Sequence, residues 1–212
     1  MDSESLIDSL AKKLEPVKPL QPHWQRALAW SLLSHFFVII LAILIAPFRN
    51  GFVSQLVSEP QFMIEFLIGM SIGPAASLTA FYLAIPSEGG LKRSRIIVAL
   101  MPILLQVLFM IISFFQPALT PSEEGHRPFC YLETGAYGIV PFVVMWFQIK
   151  KGYPWHRGWL GLYLALASFM PAANIMYIAC MYDPIHNLLF HFLPAMILTS
   201  IAMLITNKYL VR

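Results

Sequence analysis

Charged residues are scarce in this chain. Asp, Glu, Lys and Arg make up 12% of its 212 residues, against 58% hydrophobic. Soluble domains carry about 25% charged residues, so the composition excludes a water-soluble fold. Cysteine is scarcer still: two are present, and they do not form a Cys-x-x-Cys pair. Their wide separation removes the close-spaced zinc signature and the dithiol motif expected of a thiol oxidoreductase. The sequence also lacks a nucleotide-binding loop, an HExxH metalloprotease motif, a Ser-His-Asp order and a pair of mid-span histidines placed for haem. These absences argue against an enzyme. The centres of the long apolar runs lack the acidic and basic residues that an ion-coupled carrier uses.

Long apolar runs fill most of the chain. Six of them cover roughly 27–47, 62–85, 96–116, 131–149, 158–181 and 187–206. Each reaches the ~18 residues that mark a bilayer span. Within lipid every span must satisfy its own backbone hydrogen bonds, and the short connections leave no room for a closed barrel. The expected fold is an all-α membrane protein, a six-transmembrane-helix bundle over 27–212, with a short cytoplasmic helix in the segment 1–26. That segment is too long for the charged region of a signal peptide, and no small-residue cleavage site follows the first run.

Orientation follows from Lys and Arg near the spans. Of the 14, only Arg49 and Arg127 fall on one side, in the company of Glu59, Glu123, Glu124 and Asp183. The others lie before the first span, in the second and fourth connections and in the tail. Both termini are therefore expected in the cytoplasm. The net charge of +3 reports membrane topology and not direct nucleic-acid binding.

This topology puts Cys130 at the outer start of the fourth span and Cys180 at the outer end of the fifth, with His126, His186 and His191 on the same side. Three chemistries fit the pair. An oxidising outer compartment permits a disulfide. Thiolate with imidazole suits a soft or borderline metal ion such as zinc or copper. A thiol beside polar groups is also an oxidant target. On one α-helix His186 and His191 would stand about 140° apart, too far to face one ion. Asp183-Pro184 favours an extended or turn conformation, which would free His186 to point independently. Cys180 and Asp183, like Cys130 and Glu133, are spaced to share a helix face. Glu65 lies one turn inside the second span, so Glu65, Cys130, Glu133, Cys180 and His191 are expected in one outer layer drawn from four helices.

Smaller features read as packing. Gly69-Met-Ser-Ile-Gly73 is a GxxxG pattern that permits close helix approach. His35 and Asn174 are expected to hydrogen-bond between helices. "SIGPAAS" at 71–77 echoes "SFMPAAN" at 168–174, too short a match to establish a transporter repeat. In the N-terminal segment, Leu6, Ile7, Leu10 and Leu14 form one helical face. Pro16, Pro19 and Pro22 follow as a stiff spacer. A helix of about ten residues is marginal alone in water and needs a surface: the membrane, the protein's own loops or, as the spacer's reach favours, the groove of a partner.

The order Cys130, Pro141, Lys150-Lys151, Gly152-Tyr153-Pro154, Gly158, Gly161, Cys180, Asp183-Pro184, His186 and His191 carries a resemblance. So does the start, with Leu6-Ile7, Leu10-Ala11 and Leu14-Glu15-Pro16-Val17. The chain resembles the six-span membrane anti-sigma factors of the NrsF type over nearly its whole length. These are negative regulators of extracytoplasmic-function sigma factors in bacteria. Arg49-Asn50 departs from the basic–acidic pair expected in the first outer loop. The resemblance implies an inner-membrane protein whose cytoplasmic segment holds a sigma factor away from RNA polymerase. The outer cysteines would sense thiol-reactive or metal stress. Cys130, Cys180, Asp183, His186 and His191 would form the sensor, with Glu65, Glu133 and His126 as secondary candidates. Leu6, Ile7, Leu10 and Leu14 would meet the sigma factor. The competing class is a small metal or solute transporter, or a metal-binding membrane subunit.

Overall fold

The computed structural model describes residues 20–85, 93–152, 154 and 156–210, together with positions 3, 4, 7 and 11. Its helices are α1 (His23–Ile45), α2 (Phe52–Ser58), α3 (Pro60–Leu83), α4 (Arg93–Phe115), α5 (Cys130–Ile149), α6 (Arg157–Ala179) and α7 (Pro184–Tyr209). All but α2 contain a stretch long and apolar enough to cross a membrane. No strand occurs among the described residues. The six expected spans are all present, with small shifts at their ends. α1 starts at His23 because the Pro22 carbonyl already accepts from Gln25 N and Arg26 N. α7 starts at Pro184, capped by Asp183.

The bundle is built around α6. From Leu160 to Ala179 every α6 residue except Leu162 is buried. α3 and α7 pack along it most extensively, α5 and α1 close the ring, and α4 leans on α3 from outside. In lipid the apolar effect gives little drive for helix association, so close packing of small residues carries it. Gly69 of α3 sits against the Asn174 side chain, and a Cβ on Gly73 would come 2.7 Å from Pro171 Cγ. The GxxxG face is thus the α3–α6 crossing, and the two echoed sequences 71–77 and 168–174 pack on each other there. Gly138 of α5 receives the Phe169 ring, and a Cβ on Gly161 would lie 2.6 Å from Thr206 Cβ of α7.

Asn174 does bond between helices, Nδ2 donating to Phe66 O at 2.9 Å. The expectation for His35 is corrected: its Nδ1 meets Ser31 O, 2.7 Å away in its own helix. Its ring lies against α3, where a Cβ on Gly73 would be 2.9 Å from Cε1. In the N-terminal segment, Ser3, Glu4, Ile7 and Ala11 have helical backbone and are exposed. Leu6, Leu10 and Leu14 lie outside the described residues.

Both cysteines lie at one end of the bundle. The connection between α4 and α5 roofs this end. Ser122 N donates to Tyr182 O at 2.9 Å, and Ala118 N donates to the Tyr182 hydroxyl at 2.8 Å. Gly125 takes φ +81°, a left-handed conformation that glycine adopts without strain, and packs on Arg49.

Candidate functional site

The site begins where α6 stops. Cys180 is the residue that ends α6, in extended backbone at φ −97° and ψ −179°. Three residues on, the Asp183 carboxylate accepts the His186 N–H at 2.7 Å and caps α7, with Pro184 in its first turn. His186 is thereby fixed in that turn and is not a loop residue. α7 then runs through a π-helical stretch, Asn187–Phe192. A π turn bonds residue i to i+5, so residues five apart come onto one face. This corrects the α-helical expectation: His186 and His191 belong to one continuous helix, and their rings lie 5.1 Å apart.

Four side chains meet here. Cys130 Sγ and Cys180 Sγ lie 3.4 and 3.5 Å from His186 Nε2. With His191 added, one donor atom from each residue falls within 4.8 Å of the others. Cys130, Cys180 and His191 are buried, His186 is half-buried, and both cysteines are free thiols. Neither His191 nitrogen finds a hydrogen-bond partner outside the cluster. The Cys180 thiol is held below the ordinary thiol range, first by its hydrogen bond with Cys130 and then by His186 and His191, against the opposing effect of burial. A tetrahedral ion with metal–sulfur bonds of ~2.3 Å and metal–nitrogen bonds of ~2.0 Å sets its ligand atoms about 3.3–3.8 Å apart. The sulfur–His186 distances, the soft donors and the unsatisfied imidazole fit such an ion.

The other expected site residues do not join the cluster. Asp183 caps α7. Glu65 lies in a network of its own: its carboxylate accepts from Gln61 Nε2 at 2.9 Å, from Ser113 Oγ at 2.6 Å and from the Tyr177 hydroxyl. Glu133 pairs with Arg127 at 2.7 Å and accepts from the Tyr137 hydroxyl at 2.7 Å. The single outer layer is thus three adjacent networks, because each carboxylate has donors of its own. His126 is exposed, with its ring 6.0 Å from that of His186.

Sequence reasoning places neither Arg49 nor Arg127 in the site: Arg127 reads only as a topology marker, and Arg49 as one that also departs, with Asn50, from an expected loop pair. Arg49 is 3% exposed and Arg127 is 4% exposed. Arg49 Nη1 donates to Cys180 O at 3.0 Å, and its backbone N donates to Ala179 O at 3.2 Å. Its guanidinium lies 5.5 Å from the Phe62 ring centre and 5.9 Å from that of Tyr182. Burial lowers its pKa, and the neighbouring Tyr177, Cys180, Tyr182 and Glu124 oppose that shift. Arg127 Nη2 donates to Ala46 O at 2.8 Å and Pro47 O at 2.9 Å. The signal that could have found both was their position. They are the two basic residues on the side where the positive-inside rule leaves cations unexplained.

The fold and site define a class: a six-span helical membrane protein with a roofed thiol–imidazole cluster at one end. The family model for NrsF, the negative regulator of sigma F, matches residues 10–212, and the chain belongs to this family. No curated protein and no solved structure matches it. The family is one of negative regulators of a sigma factor, which makes a sigma factor the partner.

Proposed function

We propose that this chain is a membrane-bound anti-sigma factor that holds an extracytoplasmic-function sigma factor and releases it on thiol-reactive or metal stress. The single observation that carries the sensing half is the convergence of Cys130, Cys180, His186 and His191, whose donor atoms lie within 4.8 Å of one another. A pair of thiols backed by imidazoles reacts with soft metal ions and thiol reagents far more readily than isolated, inert buried cysteines do. Release then requires that the reacted and unreacted states differ in affinity for the sigma factor.

In this reading the protein sits in the bacterial inner membrane with both termini in the cytoplasm and the cysteine end outside. The apolar face Leu6, Ile7, Leu10 and Leu14 occupies a groove of the sigma factor. The chain performs no catalysis and touches no nucleic acid.

Co-purification from the source cell tests both halves. Full-length protein in detergent retains a sigma factor, and Leu6→Asp, Ile7→Asp and Leu10→Asp together abolish retention. Cys130→Ser with Cys180→Ser retains it but does not release it under thiol stress. Constitutive release from the serine variant would make the cysteines structural. Failure of every form to retain a sigma factor would move the assignment to a metal-binding membrane subunit.

A further inference from the structure

We infer that Arg49 and Arg127 are positioning residues that carry the state of the thiol–imidazole cluster to α1, the helix that follows the proposed sigma-binding segment in sequence. The inference rests on the sensing role proposed above.

The two arginines tie the end of α1 to the two cysteine-bearing helices: Arg127, just before α5, reaches the α1 end, and Arg49, just after α1, reaches the end of α6. Arg127 stands three residues before Cys130. Its guanidinium donates to Ala46 O and Pro47 O, at the C-terminal end of α1, and pairs with Glu133, one turn into α5. A cation at the carbonyl end of a helix is also favoured by the helix dipole. Glu133 is anchored in turn by the Tyr137 hydroxyl at 2.7 Å. The end of α1 is therefore tied to the Cys130 helix.

Arg49 makes the second tie. It follows α1 by four residues, and it binds the end of α6 twice: its backbone N–H meets Ala179 O, and its side chain meets Cys180 O at 3.0 Å. Gly125 of the roof closes on it, where a Cβ would lie 2.9 Å from Arg49 Cβ. That position admits no larger residue without moving the arginine.

Together these contacts make α1 the helix that spans the two cysteine-bearing elements. Reaction of the thiols changes the spacing between the start of α5 and the end of α6. Contacts of this kind are short, directional and buried, so a change in spacing is not absorbed by solvent. It displaces the end of α1 through the arginine contacts. At its other end α1 begins at His23, directly after the proline spacer. Arg26, in its first turn, donates to Gln148 O at 2.9 Å on the last turn of α5. A shift of α1 against α5 therefore reaches the sigma-binding side without a separate messenger.

The test uses full-length protein in proteoliposomes carrying bound sigma factor, titrated with a small organomercurial. Arg49→Gln and Arg127→Gln should keep sigma bound at rest, and the cysteines should still react to completion. Half-release should need at least a tenfold higher dose. Added to Cys130→Ser with Cys180→Ser, neither arginine change should alter release further, because residues acting through one element are non-additive. A residue with only a structural role would lower resting sigma retention equally in both backgrounds.

Unchanged dose–response in either glutamine variant at wild-type abundance overturns the inference. If a glutamine variant does not accumulate, Arg49→Lys and Arg127→Lys, which keep the charge with fewer donors, are read in the same way. The serine variant separates the two claims. If it releases sigma normally, the sensing role fails. If it does not, and the arginine variants do, only the relay fails.

Discussion

At the cysteine end, Arg49, Arg127, Glu65 and His191 are each at most 4% exposed. At the opposite end Lys150, Lys151 and Lys208 stand in the open. The exposed cations need no partner: they are solvated, and their distribution follows the positive-inside rule. The buried groups have no such excuse. An unpaired charge taken out of water costs several kcal/mol, so the two arginines and Glu65 must be met by contacts. Arg127 has Glu133 and two helix-end carbonyls, Arg49 has the Cys180 carbonyl and two aromatic rings, and Glu65 has three donors. Ionisable groups within a membrane domain mark function more often than packing. The difference teaches which cations orient the chain and which ones build a site.

Breaking the cysteine end should have the largest effect. Cys130→Ser with Cys180→Ser removes both sulfurs from a cluster of four donors. Stress-dependent release of sigma, read by co-purification, should disappear while resting retention stays.

Arg127→Met comes next. It leaves Glu133 and the α1 carbonyls without their cation, and removing one partner of a buried pair costs about 3 kcal/mol. Thermal unfolding in detergent should shift accordingly, and Glu133→Gln, which keeps an acceptor, should shift it less. Gly73→Leu should lower stability by about 1–3 kcal/mol through overpacking, since a Cβ there already meets Pro171 at 2.7 Å. This loss belongs to the middle of the bundle and should leave thiol reactivity unchanged.

A subtler test concerns the low pKa of the Cys180 thiol. Lowering a thiol pKa raises its thiolate share at neutral pH. Its reaction with a small alkylating agent should then rise less steeply between pH 6 and 8 than that of an ordinary thiol. An ordinary thiol gains about tenfold per pH unit below its pKa. A tenfold slope would mean that the pair is protonated. Smallest of all should be Lys150→Gln with Lys151→Gln. Exposed substitutions stay within about 0.5 kcal/mol, so the melting temperature should hardly move, and a large drop would erase the contrast between the ends.

Much of the fold was legible in the sequence. Low charge and six apolar runs define the spans, because a bilayer accepts few other ways of satisfying a backbone. The meeting of Cys130 with Cys180 was legible through topology alone, since an even spacing of spans returns both to one end. The pairing of His186 with His191 was not. It depends on a π turn at Asn187–Phe192, and a 3.6-residue period points the two rings apart. Asp183 was misplaced for a related reason. α6 stops at Ala179, so Asp183 begins the next helix and does not continue the last. Glu65 and Glu133 were at the right end but in separate networks, because depth along a helix says nothing about which neighbour supplies the donors.

The most direct test is one of sidedness. Right-side-out vesicles carrying the protein and its bound sigma factor would be given a membrane-impermeant organomercurial from outside. The account predicts sigma release from the wild type and none from Cys130→Ser with Cys180→Ser. Equal release from both, or release only when the reagent is placed inside, would contradict it.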